Sequence, residues 1–355
     1  MTEHVSSGII RSKLGRSHGE LVFVVCLAAV LALSCGCARR GSPVSADGEQ
    51  PSGYRLVATL PIEGYAEDIE VAGDLVLIAA GQGGLVLVDV SDAENPTYLG
   101  MGPTGFSATG CAYAAEDEFG YVTDGSRGIV IYDLADPAAP AEVTYCEGTR
   151  TRDMAVDVVT PGQLHRVFGA DGEGDLRIWK VEYFEQYQTW FASQIGHASA
   201  AGSARGICLH DTLALLAMEE IGLAIFDVSS PGSPVRIGHV DTPGEARAVV
   251  ADGEYAYVAD WRKGLAVVDI SDPTSPAIVG SAETDGNAEG VFYRDGEAFV
   301  ADHAGGLLVF DVSDPGSPTR SGYYDTPFAN AVWVTDDYVF VADRDLGLVI
   351  LEEDR

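Results

Sequence analysis

Short apolar runs rich in β-branched residues recur along this chain, and each ends on an aspartate. Gly84-Leu-Val-Leu-Val-Asp-Val-Ser-Asp-Ala-Glu-Asn-Pro96 is the first, and Gly128-Ile-Val-Ile-Tyr-Asp-Leu-Ala-Asp-Pro-Ala-Ala-Pro140 the second. Gly222-Leu-Ala-Ile-Phe-Asp-Val-Ser-Ser-Pro-Gly-Ser-Pro234, Gly264-Leu-Ala-Val-Val-Asp-Ile-Ser-Asp-Pro-Thr-Ser-Pro276 and Gly306-Leu-Leu-Val-Phe-Asp-Val-Ser-Asp-Pro-Gly-Ser-Pro318 follow. Four consecutive apolar residues read as a strand covered on both faces. The aspartate offers an acceptor to the turn, Asp-Pro presets a type I turn, and the second proline suits the start of an edge strand. With degenerate copies at Leu176 and Leu348, the leucines sit at 85, 129, 176, 223, 265, 307 and 348, so the unit recurs seven times in steps of 41 to 47 residues.

Each unit carries three more strands. Tyr255-Ala-Tyr-Val-Ala-Asp260, Tyr338-Val-Phe-Val-Ala-Asp343 and Phe119-Gly-Tyr-Val-Thr-Asp124 precede the Gly-Leu motif. Ala246-Arg-Ala-Val-Val-Ala-Asp-Gly253, Ala288-Glu-Gly-Val-Phe-Tyr-Arg-Asp-Gly296 and Ala329-Asn-Ala-Val-Trp-Val-Thr-Asp336 precede those, and strands such as Ala277-Ile-Val-Gly-Ser281 follow the second proline. Four short strands per period of this size predict an all-β fold, a seven-bladed β-propeller of four-stranded blades. A different treatment of the degenerate third unit would change the count to six or eight. The chain stops on Gly347-Leu-Val-Ile-Leu-Glu352, a third strand without a fourth, and its folded part opens on Tyr54-Arg-Leu-Val-Ala-Thr-Leu60, a fourth strand without its first three. The N-terminal strand is therefore expected to complete the last blade, which removes an exposed edge.

Leu85-Val-Leu-Val-Asp89, with the surrounding Gly-Leu and Ser-Asp-Pro-x-x-Pro pattern, resembles the signature of the LVIVD-repeat family. The resemblance covers almost all of residues 51–352 and implies a bacterial secreted or surface propeller; it implies no particular activity. The third unit departs from it, because Asp175-Leu-Arg-Ile-Trp-Lys180 has lysine where aspartate is expected and no Asp-Pro follows. A WD-repeat reading is disfavoured, since no Trp-Asp pair occurs.

The N-terminal region changes the expected address. Leu21 to Leu33 is an apolar run of 13 residues, short for a membrane span and suited to a signal peptide. Leu33-Ser-Cys-Gly-Cys37 after it resembles a lipoprotein processing site, with Cys35, or else Cys37, as the lipid attachment point. The expected division is a signal peptide at 1–34, a flexible tether at 35–52 and the propeller at 53–355. A lipid-anchored protein of the bacterial cell envelope follows, or a secreted one if it is not lipidated. Cys111, Cys146 and Cys208 remain for the folded part and read as buried free thiols, Cys111 and Cys208 at equivalent apolar positions of two first strands.

A formal charge of −33 argues against nucleic acid or an anionic membrane surface as partner. Membrane contact is expected through a lipid anchor only, and the protein is expected to be a monomer.

Candidate chemistry gathers at one face. The second residue of each first strand reads Glu67, Thr109, Arg152, Arg205, Arg247, Glu289 and Asn330. The three consecutive arginines facing Glu289 and Glu67 read either as a ring of mutually satisfied ion pairs or as an anion-binding arc, because guanidinium forks fit carboxylate and phosphate. Flanking arginines are expected to lower the pKa values of Glu67 and Glu289, which harms a general acid. Asp124, Asp260, Asp302 and Asp343 repeat and read as structural turn acceptors, whereas the non-repeated Trp261 and His303 are candidate recognition residues. Tyr65 and Phe328 offer an aromatic platform. In the third unit Tyr183, Phe184, Tyr187, Trp190 and Phe191 read as packing under a longer loop or as a docking patch. Asp171-Gly-Glu-Gly-Asp175, with Glu182 in the twelfth place, faintly resembles a calcium loop, but Leu176 stands where glycine is needed. Ca²⁺ is the sole cofactor that the sequence suggests, and no metal ligand or catalytic residue is assigned.

No Gly-x-Ser-x-Gly, His-Glu-x-x-His, Cys-x-x-Cys or phosphate-binding glycine loop is present. The sequence therefore predicts a non-catalytic binding or protein-interaction scaffold, with a protein or a small anionic or carbohydrate ligand as partner and an anion at the channel mouth. The alternative is a hydrolase or lyase acting there on a polysaccharide or other small substrate through Glu67 or Glu289.

Overall fold

The computed structural model describes residues 53–354 apart from 126 and 149, and every regular element among them is a β-strand. Seven antiparallel four-stranded sheets follow one another along the chain. β1 (Tyr54–Leu60) comes first and belongs to the last sheet. Blade 1 is β2 (Asp68–Ala72), β3 (Leu75–Ala79), β4 (Leu85–Asp89) and β5 (Thr97–Gly102); blade 2 is β6 (Cys111–Ala114), β7 (Phe119–Asp124), β8 (Gly128–Asp133) and β9 (Ala141–Glu147). Blade 3 is β10 (Thr151–Thr160), β11 (Leu164–Asp171), β12 (Asp175–Phe184) and β13 (Thr189–Ser199); blade 4 is β14 (Ala204–His210), β15 (Leu213–Met218), β16 (Gly222–Asp227) and β17 (Val235–Val240). Blade 5 is β18 (Ala248–Asp252), β19 (Tyr255–Ala259), β20 (Leu265–Asp269) and β21 (Ala277–Ala282); blade 6 is β22 (Gly290–Arg294), β23 (Glu297–Ala301), β24 (Leu307–Asp311) and β25 (Thr319–Tyr324). Blade 7 is β26 (Ala329–Val334), β27 (Val339–Asp343), β28 (Gly347–Glu353) and β1. The first strands form a closed ring, since β26 lies against β2 as β2 lies against β6.

The repeated motif forms these elements for local reasons. Each motif aspartate accepts a backbone N–H two residues on, at 2.8 Å for Ser91 onto Asp89 and 2.9 Å for Ser229 onto Asp227, which turns the chain out of the strand. The apolar runs need cover on both faces, and the packing supplies it gap by gap. Seven separate apolar clusters lie in the seven gaps between neighbouring blades. Ile78 and Val86 of blade 1 meet Phe340 and Leu348 of blade 7, for example. Each large side chain so buried contributes about 1.5–3 kcal/mol.

A second device locks neighbours. Opposite the third strand, each fourth strand of blades 1 to 6 bulges, and beside the bulge a glycine recurs in five of them (Gly100, Gly196, Gly238, Gly280 and Gly322), with Thr144 in blade 2. A β-carbon on Gly100 would lie 2.4 Å from the Pro137 carbonyl oxygen of the next blade, and one on Gly238 2.1 Å from that of Pro273. At four joints the proline turn of one blade is seated in the glycine notch of the one before it, an Asp-Pro turn at Gly100, Gly238 and Gly280 and Ser230-Pro231 at Gly196.

Blade 3 is built differently. Its strands run 10, 8, 10 and 11 residues, and its gap with blade 2 is sealed by aromatic side chains. His165 is fully buried there, with Tyr121 Oη at its Nδ1 and Asp117 Oδ2 2.5 Å from its Nε2. Trp190 packs on Phe119, His165 and Tyr183, whereas Phe184, Tyr187 and Phe191 cluster in solvent. The aromatic group thus divides between packing and exposure.

The three folded-part cysteines are free. Cys111 stands opposite Val122, but Cys208 stands opposite Leu215, one residue further along its strand than the equivalent Ile207. The two cysteines are therefore not at equivalent positions: Cys111 is buried between blades and Cys208 is half-buried on the other face.

β1 pairs with β28 from Tyr54↔Glu353 to Leu60↔Leu348. Deleting residues 53–60 uncovers β28 and part of the gap between blades 6 and 7. The truncated protein is expected to aggregate or to melt about 10 °C or more below the full-length protein by calorimetry. Equal melting midpoints would show that the clasp is dispensable.

Candidate functional site

One face of the ring carries the loops before the first strands and those joining second to third strands. Asp124, Asp260, Asp302 and Asp343 tie these two loop sets together in the way expected of turn acceptors. Their carboxylates accept N–H groups of Gly105 at 2.6 Å, Gly244 at 2.8 Å, Gly286 at 2.7 Å and Phe328 at 2.8 Å. Between blades, backbone bridges join Gly81 to Ala108, Trp261 to Ala288 and His303 to Ala329. The mouth therefore has a rigid rim.

Counting along the repeat places Gly81, Gly125, Gly172, Glu219, Trp261, His303 and Arg344 at one equivalent rim position. The position requires a left-handed backbone in several blades: φ is 56° at Gly81, 51° at Trp261 and 47° at His303. Glycine meets that requirement without cost, whereas a bulky side chain there costs about 1 kcal/mol or more. Blades 1 to 3 leave the rim bare, and blades 4 to 7 line it with side chains.

Those side chains form a continuous arc. Arg247 lies over the Trp261 ring at 4.2 Å, Trp261 meets His303 edge-on at 5.0 Å, and His303 stacks on Phe328 at 4.3 Å. Arg344 then lies 5.2 Å from the Phe328 centroid and 4.7 Å from that of Tyr65. The expected platform of Tyr65 and Phe328 is thus joined to Trp261 and His303. Burial, followed by the charges of Arg247 and Arg344, presses the His303 pKa down to about 4, so this imidazole is neutral at pH 7. Its Nε2 lies 3.8 Å from Glu289.

The arginines behave unequally. Arg205 Nε is 2.5 Å from Glu219 Oε1, which Arg247 Nη1 also reaches at 2.8 Å. Arg247 Nη2 is 2.5 Å from Glu245, and its Nε is 3.9 Å from Glu289. Glu67 faces Asn330, whose amide donates to it at 3.3 Å and to the Ala66 carbonyl at 2.8 Å. The principal counter-ions are therefore Glu219 and Glu245, which the sequence reading missed. Arg152 makes no ion pair among the described residues, and its buried Nε finds no hydrogen-bond partner. Burial and the nearby Arg205 and Arg247 charges lower its pKa from the ordinary arginine value, but a guanidinium stays charged.

The expected lowering of the glutamate pKa values is overturned. Burial raises Glu289 and outweighs Arg247 and Arg205, and burial likewise raises Glu67 against Arg344 and Arg205. At Glu219 burial also pushes upward, but the Arg205 hydrogen bond and the Arg247 charge hold it below the usual range. Enclosure decides the sign where the nearest guanidinium is about 4 Å away, and contact decides it where one touches.

Below the rim, three acids missed by the sequence reading line the inner wall. Asp68 and Glu70 accept the N–H groups of Cys111 at 2.9 Å and Tyr113 at 3.1 Å, and Asp153 accepts that of Ile207 at 2.9 Å. Each carboxylate spans the gap to the next blade. At the Asp68 position other blades have Gly110, Gly206 and Gly290, where a β-carbon would lie 2.7 to 3.0 Å from a neighbouring carbonyl oxygen. Burial raises the pKa of all three acids, and Glu70, with Asp68 beside it, is pushed up to about 8.

The residues compared above to a calcium loop have other partners. Asp171 lies 2.8 Å from Arg177, Asp175 2.8 Å from His197, and Glu182 2.6 Å from Lys180. No group of three or more acid, histidine or cysteine side chains suited to a metal gathers among the described residues. Cys35 and Cys37 lie outside the described residues.

Six stretches match the LVIVD repeat: residues 63–101, 113–147, 201–242, 243–284, 285–326 and 328–352. Blade 3 falls in the unmatched interval. No curated protein matches the chain. Among solved structures, the WD40 β-propeller domain of Doa1 is similar with a TM-score of 0.64 at 13% identity, over 86% of this chain and 98% of that one. The computationally designed Ika8 protein is similar with a TM-score of 0.59 at 9% identity, over 84% of this chain and 99% of that one. At such identities these likenesses concern the fold alone.

A carboxyl whose pKa is raised in the folded state takes up protons on folding, so its contribution favours the fold below that pKa and is lost as pH rises. For Glu70 the window runs from its ordinary value of 4.5 to about 8. Glu70→Gln keeps an acceptor for Tyr113 and removes the charge. Its melting midpoint is expected to exceed that of the unsubstituted protein at pH 8 and to match it at pH 4.5. Equal midpoints at pH 8 would refute the assignment.

Proposed function

We propose that this chain, which belongs to the LVIVD-repeat family, is a non-catalytic binding scaffold that holds an anionic group at its channel mouth. The observation that carries the reading is Arg152. Its guanidinium is half-buried, its Nε is enclosed without a hydrogen-bond partner and no carboxylate pairs with it, so a bound carboxylate or phosphate supplies the missing partner. The equivalent rim position is glycine in blades 1 to 3, so no side chain at that position covers the approach. Across from it, the strained Trp261 and His303 present an aromatic arc that suits the apolar face of a larger ligand.

Thermal-shift titration with acetate, phosphate and glucuronate tests this. At about 100 times its dissociation constant a ligand adds about 2.7 kcal/mol. Arg152→Met is expected to abolish the shift while the free protein melts no lower than the unsubstituted one, because a half-buried charge with no ion pair is removed. Trp261→Gly, which adopts the backbone that Gly81 already has, is expected to stay folded and to weaken glucuronate more than acetate. If none of the anions shifts the melt, or if Arg152→Met keeps the shift, the anion site is wrong.

The raised pKa of Glu289 favours one second reading, a hydrolase or lyase in which Glu289 donates a proton to a small substrate or polysaccharide. Turnover of a ligand, abolished by Glu289→Gln, would select it.

The address proposed is the bacterial cell envelope, through a lipid on Cys35 or Cys37 after the Leu21–Leu33 run. Mass spectrometry of the mature N-terminus is expected to find a diacylated or triacylated cysteine at one of these positions. An intact Met1 would rule the anchor out.

A further inference from the structure

The gap between blades 2 and 3 lacks the lock found at four other joints. In blades 1, 3, 4 and 5 a glycine of the fourth strand (Gly100, Gly196, Gly238 and Gly280) receives the proline carbonyl of the next blade's turn at the site of a missing β-carbon, 2.0 to 2.4 Å away. Blade 3 has no Asp-Pro turn to offer, and at the corresponding place blade 2 has Thr144, opposite Ile131. A β-carbon there would forbid the proline carbonyl. What remains is a cleft of about 550 Å³ between β9 and β13, walled by Thr144, Tyr145, Phe191 and Gln194 over Trp179.

The strand forming one wall is unprotected. The fourth strands of blades 1, 2, 4, 5 and 6 each begin directly after a proline (Pro96, Pro140, Pro234, Pro276 and Pro318) and run 6 or 7 residues. β13 has no such proline, runs 11 residues and contains no Asp, Glu, Lys or Arg. It is the last strand of its sheet, so its outer N–H and C=O groups face outward. Proline, shortness and charge blunt such an edge, and β13 has none of them; its bulge at Ile195 and the blade 4 turn seated at Gly196 leave Thr189 to Gln194 as the open stretch. On it Phe191 is 48% exposed, across the cleft Tyr145 is 43% exposed, and Phe184 and Tyr187 extend the apolar surface.

We propose that this cleft and the free edge of β13 dock an extended segment of a partner polypeptide, one that adds a strand to blade 3. The segment is apolar on the side facing Tyr145 and Phe191 and basic on the other. A formal charge of −33 attracts positive chains from a distance and disfavours a second copy of this one, while the uncharged edge itself opposes no backbone. The site is separate from the channel mouth.

The probe is a synthetic ten-residue peptide alternating valine with lysine or threonine, titrated into the full-length protein and followed by tryptophan fluorescence. The expected result is micromolar binding, weakened at least ten-fold when every second residue of the peptide is N-methylated. Ser193→Lys on β13 is expected to weaken the parent peptide at least ten-fold. Val235→Lys, on the proline-started β17, is expected to leave it unchanged, with both variants melting like the unsubstituted protein. Absence of binding up to about 1 mM, equal binding of the N-methylated peptide, or indifference to Ser193→Lys would each overturn the proposal. So would a dimer by sedimentation that Ser193→Lys dissolves, since a second copy would then own the edge.

Discussion

A proline carbonyl set where a neighbour's β-carbon would otherwise be is the contact on which the geometry of this ring depends. Apolar packing between two twisted sheets is tolerant of small rotations, and seven tolerant joints would not close a circle at a fixed angle. The turn seated in its glycine notch removes that tolerance at four of them, because a carbonyl oxygen about 2 Å from the position of a β-carbon admits only one approach. The rim then follows. Loops held by Asp260, Asp302 and Asp343 are presented at one height, and the side chains of successive blades meet in an unbroken arc.

Much of this was legible in the sequence because it is local or repeated. Leu85 to Asp89 and the Asp-Pro turns announce a strand and its end within a dozen residues, and recurrence at a constant step announces the ring. The repeated Asp302 could be separated from the solitary His303 by recurrence alone. Other features depend on distances that no single unit contains. Glu219 stands on no first strand, and only its place four residues before the motif leucine Leu223 sets it beside Trp261 and His303. The sign of the Glu289 shift required knowing that Arg247 approaches only to 3.9 Å while the surroundings enclose the carboxyl. The displaced register of Cys208 turned on a single residue of strand alignment, which two degenerate first strands do not reveal.

The outlying third unit was visible as a break in the motif, but its meaning lies across the gap. A missing Asp-Pro in blade 3 is matched by a threonine in blade 2, and neither substitution is informative by itself. Together they show two adjacent blades altered at one joint, with His165, Trp179 and Trp190 replacing the usual seal. Four of the other joints are built from the proline and its glycine notch, and this one from residues unique to it.

The pairing of Leu56 with Leu351 has a temporal consequence. β1 is made before the other described strands and finds its partner only when all of them exist, so the earliest strand is the last to be satisfied. Contacts this distant in sequence form late and slow folding. Until then a strand's worth of unpaired backbone trails from a growing array, exposed to any other open edge. The blades can assemble one after another, but the circle is decided in a single final step, and a chain that loses its last strand has also lost the purpose of its first.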